Sequence, residues 1–283
     1  NWHTIEDDTE RLSVLMTLYE NYLAGNIADN DWINSLFDGI ILEKNPLIAS
    51  AIVSYFSMPL QAYSGMERVS VEKKLLHIAQ SHSLISCRTQ LMRILIANHF
   101  SNELNKQLYE IWKEQSNKLL NESDYTTLAY ELSIRCSDKC NTILSVQKER
   151  IMNPDRLRQF DFISHAVVAD TNKLDSLFNS LLLAENRRIE PWTATTLYYL
   201  NHFIRDDYAV KYIRPALEAL EDVQRTGDIF FPTNWLTSLL GHHRSQVAWI
   251  EVKKFLEEHP DYPQLLRNKI LQAMYPLYRL YGR

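Results

Sequence analysis

Glycine is scarce in this sequence, with six in 283 residues, about a third of ordinary usage. A β-rich chain of this length needs many more turn glycines, so hairpin-based architectures are excluded and the chain reads as almost wholly helical. Gly25, Gly65, Gly227 and Gly241 each follow an apolar-periodic segment, where a left-handed C-terminal cap is expected. Cysteine is scarce too: Cys87, Cys136 and Cys140 cannot build a disulfide framework. The spacing in "CSDKC" sets Cys136 and Cys140 one turn apart if the segment is a single helix. A tetrahedral zinc site needs about four ligands, and no second Cys/His pair lies nearby, so the thiols read as structural.

Long apolar runs are missing as well. None approaches the roughly 20 residues required to span a bilayer; "LMRILIANHF" is too short and carries Arg93. Nor is there a basic surplus. A net charge of −5 argues against a general nucleic-acid binder.

Catalytic signatures are lacking in turn. None of the nine histidines precedes a glutamate, which excludes H-E-x-x-H. The G-x-S-x-G elbow, the phosphate-cradling loop and G-x-G-x-x-G are absent. "DDTER" and "DDYAV" each lack the last aspartate of a magnesium-binding D-D-x-x-D turn. The adjacent His242 and His243 follow Gly241 and precede Ser245, a good N-cap. Consecutive loop residues tend to point apart and no third ligand lies close in sequence, so this pair reads as the junction between two helices. No catalytic residue, metal ligand or cofactor is assigned to this chain.

What is present is helical periodicity with its punctuation. "DDTERLSVLMTLYENYLAG" sets Leu12, Leu15, Met16, Tyr19 and Leu23 on one face. Asn45-Pro46 and Asn153-Pro154 pair a capping side chain with a proline at the first helical position. Pro59 is expected to kink or end the helix it follows, and "ESDYTTLAYELSIRCS" to open at Ser123. Later helices are expected near Thr171, Pro191, Asp207, Pro232, Ser245 and Asp261. Pro154, Pro191 and Pro232 are spaced by 37 and 41 residues, the length of a HEAT- or armadillo-like pair. The fold expected is all-α: one array over residues 1–283, an irregular α-solenoid of stacked antiparallel helix pairs. The aromatics read mostly as core, and Arg156, Arg158, Arg187 and Arg188 as helix-end residues that cap carbonyls, pair with acids or grip a partner's carboxylate.

Four stretches carry a family resemblance: "NPDRLRQFDFISHAVVAD", "ENRRIEPWTATTLYYLNHFIR", "YIRPALEALEDVQRTGDIFFPTNWLTSLLGHH" and "VKKFLEEHPDYPQLLRNKILQA". Together, over about residues 153–280, they resemble the C-terminal helical domain of aminopeptidase N-type zinc metallopeptidases, bacterial members above all. The first half is similar in pattern but less diagnostic. The resemblance implies a non-catalytic domain that packs on the catalytic domain of the same polypeptide and walls or gates its peptide chamber. Zinc is then expected in that missing domain, with peptides as substrates and the bacterial cytoplasm or periplasm as the compartment. "GMERV" at Gly65–Val69 lacks the spacing and final asparagine of the family's G-x-M-E-N segment, so no catalytic residue is carried over. The opening "NWHTIEDDTERL" and a first methionine at Met16 read as a cut inside a longer protein. On this reading Arg187, Arg188, Trp192 and Trp235 are candidates for peptide or interdomain contact. An independent helical-repeat scaffold for protein partners is the alternative.

Overall fold

The computed structural model describes residues 1–60, 63 and 65–282, and among these there are helices, turns and loops but no strand. No helix is long and apolar enough to cross a membrane among the described residues. The chain divides into two compact units, Asn1–Arg135 and Cys136–Arg283. The boundary falls at the "CSDKC" stretch, whose first four residues lie outside any helix; Cys140 opens the next one. The two thiols therefore do not share one helical face. Burial pushes the Cys87 thiol up to about 11, which suits an inert core sulfur.

Among the described residues, the principal helices of the first unit are Asp8–Leu23, Asp29–Leu42, Pro46–Tyr55, Gly65–Ser81, Ile85–Asn98, Asn102–Glu114 and Glu122–Arg135. Short links fold neighbouring helices back on each other as pairs, such as Gly65–Ser81 with Ile85–Asn98 and Asn102–Glu114 with Glu122–Arg135. Local chemistry sets the ends. Asn45 accepts the Leu47 N–H at 2.9 Å, with Pro46 next in place. The last helix opens at Glu122 because Asn121 and Asp124 cap reciprocally, each side chain taking the other's backbone N–H at 3.0 Å. Helix Pro46–Tyr55 ends before Pro59, which lies in a separate four-residue helix, Ser57–Leu60.

The glycine expectations hold only in part. Gly25 is left-handed at φ 80° after its helix. Gly65, at φ 53°, opens a helix instead of closing one. Gly227 is extended and Gly241 stays right-handed. A left-handed cap falls instead on Gln115, at φ 49°.

At the heart of this unit the Asn98–Ser101 turn is held by charged side chains. Glu72 accepts the Phe100 and Ser101 N–H groups at 2.6 and 3.1 Å. Arg68 donates to the Asn98 carbonyl, and Arg135 to that of His99 at 3.0 and 3.1 Å while pairing with Glu131. Buried charges persist where, as here, hydrogen bonds replace water.

The second unit alternates between two rows of helices. One row is Pro154–Ser164, Glu190–Leu200, Phe231–Leu240 and Gln264–Ala273, each packed on the next. The other includes Thr171–Leu181, Ile213–Glu218, Gln246–Glu258 and Tyr275–Tyr281; its last three members also pack in succession. This two-row stacking is what a solenoid of helical pairs requires, since no single amphipathic pair buries its own apolar face. Asn153 caps through the Asp155 N–H at 2.9 Å and Ser245 through the Ala248 N–H at 3.3 Å. The helix expected near Asp261 starts three residues later, after Pro263.

Candidate functional site

Two loops of the second unit meet beside the first turn of Glu190–Leu200. One runs from Leu183 to Ile189 and the other from Gly227 to Phe230. The second is tied to that turn by the Asp228 N–H, which donates to Glu190 Oε1 at 2.8 Å. Between them lies a cavity of about 350 Å³ whose lining includes Arg187, Arg188, Glu190, Thr226 and Phe231.

Arg187 and Arg188 stand in opposite environments. The Arg187 side chain is 2% exposed. It donates to the carbonyls of Leu181 and Leu182 at 3.3 and 2.7 Å, to Thr226 Oγ1 at 3.1 Å, and to the Asp222 carboxylate. That guanidinium holds the Asp222 carboxyl below the usual range, with Arg225 contributing. Arg187 therefore closes the turn after Thr171–Leu181, one of the structural roles open to it from sequence. Arg188 is exposed and makes no ion pair or side-chain hydrogen bond among the described residues. It stands at the cavity rim as a cation available to an incoming acid.

The two tryptophans separate in the same way. Trp192 is half-buried, its ring tilted against Phe162 at 5.9 Å. Trp235 has no exposed surface, and its Nε1–H donates to the Ala216 carbonyl at 3.1 Å. Trp235 is a core residue, and its ring offers nothing to a partner. The two loops also expose Leu183, Ile189, Ile229 and Phe230, the last two by 79% and 69%. Sequence reading passed over these four, although "GDIFFP" places two large apolar residues directly after a turn.

A second arrangement surrounds the paired histidines. His243 is fully buried between the Asp206 carboxylate and the Asn201 amide. Asp206 also accepts the Arg244 N–H at 2.8 Å and the Ser245 hydroxyl at 3.3 Å. Its carboxyl lies below the ordinary value: burial pushes it up, and the bonds from His243, Arg244 and Ser245 more than offset that. His242 turns away and packs edge-on against Tyr198 at 4.6 Å. The two rings thus diverge, and among the described residues no group of three or more His, Cys, Asp or Glu could hold a metal ion. Asn201 and Asp206 were not singled out from sequence; they lie 42 and 37 residues from their histidine, beyond the reach of any local motif.

No protein-family model matches the chain, and no curated protein matches it.

Proposed function

We propose that this chain is the non-catalytic helical C-terminal domain of an aminopeptidase N-type zinc metallopeptidase. It packs on a catalytic domain carried by the same polypeptide and walls the chamber in which peptides are cut. The observation that carries this reading is the position of one resembling stretch. "ENRRIEPW" builds a loop with a buried, turn-closing Arg187, a rim cation in Arg188 and an exposed Ile189, and the chain on either side of the cavity exposes Leu183, Ile229 and Phe230 as well. Large exposed apolar side chains on two loops that flank a cavity favour contact with another protein surface or a peptide. The contribution to catalysis is indirect: the wall excludes water and large proteins and receives the far end of a peptide. The zinc belongs to the catalytic domain, and none of this chain's residues is assigned to it.

The same exposed group favours a second reading, an independent helical-repeat scaffold. Peptidase assays separate the two. The purified chain is expected to release nothing from an aminoacyl anilide, with or without added zinc. The longer polypeptide that includes its upstream coding sequence is expected to hydrolyse it in a zinc-dependent way. Zinc-dependent hydrolysis by the 283 residues alone would overturn the assignment of roles; an inert longer polypeptide would favour the scaffold.

A further inference from the structure

Asn201 fixes the protonation state of His243. The Asn201 side chain is fully buried, and its Nδ2 donates to the Leu197 carbonyl at 2.9 Å. Its amide cannot turn over without setting an oxygen against that carbonyl. Oδ1 of Asn201 is therefore the atom that faces His243 Nε2, at 3.1 Å. An amide oxygen only accepts, so Nε2 carries a proton. On the other side of the ring, Nδ1 meets Oδ1 of Asp206. That carboxylate already takes the Arg244 N–H on Oδ2 and the Ser245 hydroxyl on Oδ1. It is the acceptor of all three contacts, so Nδ1 carries a proton too. A ring that donates from both nitrogens is an imidazolium.

His82 shows the contrasting case. Its Nδ1 accepts the Leu84 N–H at 3.1 Å while Nε2 faces the Ile40 carbonyl at 2.8 Å, a pattern satisfied by one proton.

We infer that His243 is a pH-operated clasp, locking the turn at Asn201–Asp206 to the turn at His243–Ser245 while its ring holds both protons and releasing it when one is lost. The inference stands apart from the peptidase reading. A neutral ring has one donor, so either the Asp206 or the Asn201 contact becomes a buried meeting of two acceptors, which costs far more than a missing surface bond. Several charged and titratable groups stand around the clasp among the described residues. Asp206 faces the ring directly. Arg244 turns its guanidinium onto the His243 carbonyl at 2.5 Å, and the Tyr281 hydroxyl donates to the Arg244 carbonyl at 2.7 Å. His242 lies against Tyr198, with the His202 ring 6.4 Å beyond. What the clasp joins is the end of Glu190–Leu200 and the start of Gln246–Glu258.

The test is long-range proton–nitrogen correlation spectroscopy on the histidine-labelled chain. At pH 6 both His243 ring nitrogens are expected to be protonated, and once the ring is neutral the protection factor of the Arg244 amide, with the ordinary base-catalysed rise of exchange divided out, is expected to fall about tenfold. Asp206→Asn replaces the carboxylate that faces Nδ1 and holds the Arg244 N–H, and is expected to lower Arg244 protection already at pH 6. A His243 ring with one bare nitrogen at pH 6 would overturn the proposal, as would an Arg244 protection factor indifferent to the ring's state. Should Asp206→Asn fail to fold, the unsubstituted chain still decides.

Discussion

Trp235 and Ala216 are joined by an indole-to-carbonyl hydrogen bond of 3.1 Å, made by a ring with no exposed surface. This contact ties Phe231–Leu240 to Ile213–Glu218, one helix of each row. Trp235→Ala removes a large buried volume and strands a carbonyl, and is expected to lower unfolding stability by about 3–5 kcal/mol. Trp192→Ala, at a half-buried position, is expected to cost clearly less. Denaturant titrations followed by helical circular dichroism compare the two, and equal losses would contradict the assignment of Trp235 to the core.

Arg187 and Arg188 are neighbours with opposite expected effects. Arg187→Met removes a donor from the Leu181 and Leu182 carbonyls and from the Asp222 carboxylate, which keeps its bond from Arg225. Losing one partner of a buried, hydrogen-bonded charge typically costs about 3–5 kcal/mol, and the partial exposure of Asp222 places this case at or below the low end. Arg188→Ala is expected to stay within about 0.5 kcal/mol of the parent chain. The same unfolding titrations decide.

Gly39 lies inside Asp29–Leu42, where alanine would ordinarily favour the helix by about 1 kcal/mol. Here the Trp2 ring occupies the space: a Cβ at Gly39 would sit 2.4 Å from its Cζ2. Trp2 is anchored by its own bond to Ser35 Oγ at 2.8 Å. Gly39→Ala is therefore expected to destabilise by about 1–3 kcal/mol, or to expel the ring, which tryptophan fluorescence would register as a red shift. A stabilised variant would count against this packing.

Burial, helped by the nearby Arg135 cation, pulls the His99 ring from its ordinary 6.5 down to about 3. Between those values the unfolded chain takes up a proton that the folded chain refuses, so stability falls as pH drops from about 6.5 toward 3 and is unaffected by this ring at higher pH. His99→Gln is expected to flatten that limb of the stability–pH profile. An unchanged slope would show that other groups govern it.

How much of this was legible in the sequence depends on the range of the interaction. Asn45-Pro46, Asn153-Pro154 and Ser245 announce helix starts because cap and capped N–H lie within three residues. Repeat spacing announced the two-row stacking of the second unit, since proline recurs at the start of each helix in one row. The misassigned glycines have a different cause. Gly65 opens a helix and Gly241 remains right-handed, so scarcity identified the fold class without fixing what each glycine does. Trp192 and Trp235 both sit at helical spacing, and only packing tells which one faces the core. The side chains that pair with Arg187 and His243 come from 35 to 42 residues away, so sequence could nominate these residues without naming what they hold. No shift in composition marks the division at Arg135 and Cys136.

The most direct test of the proposed role is to read the coding sequence that leads into Asn1. A peptidase domain there is expected to present H-E-x-x-H, with a third zinc ligand supplied by a more distant glutamate. An upstream sequence without that constellation, or a start codon immediately before Asn1, would contradict the assignment of this chain to the wall of a zinc aminopeptidase.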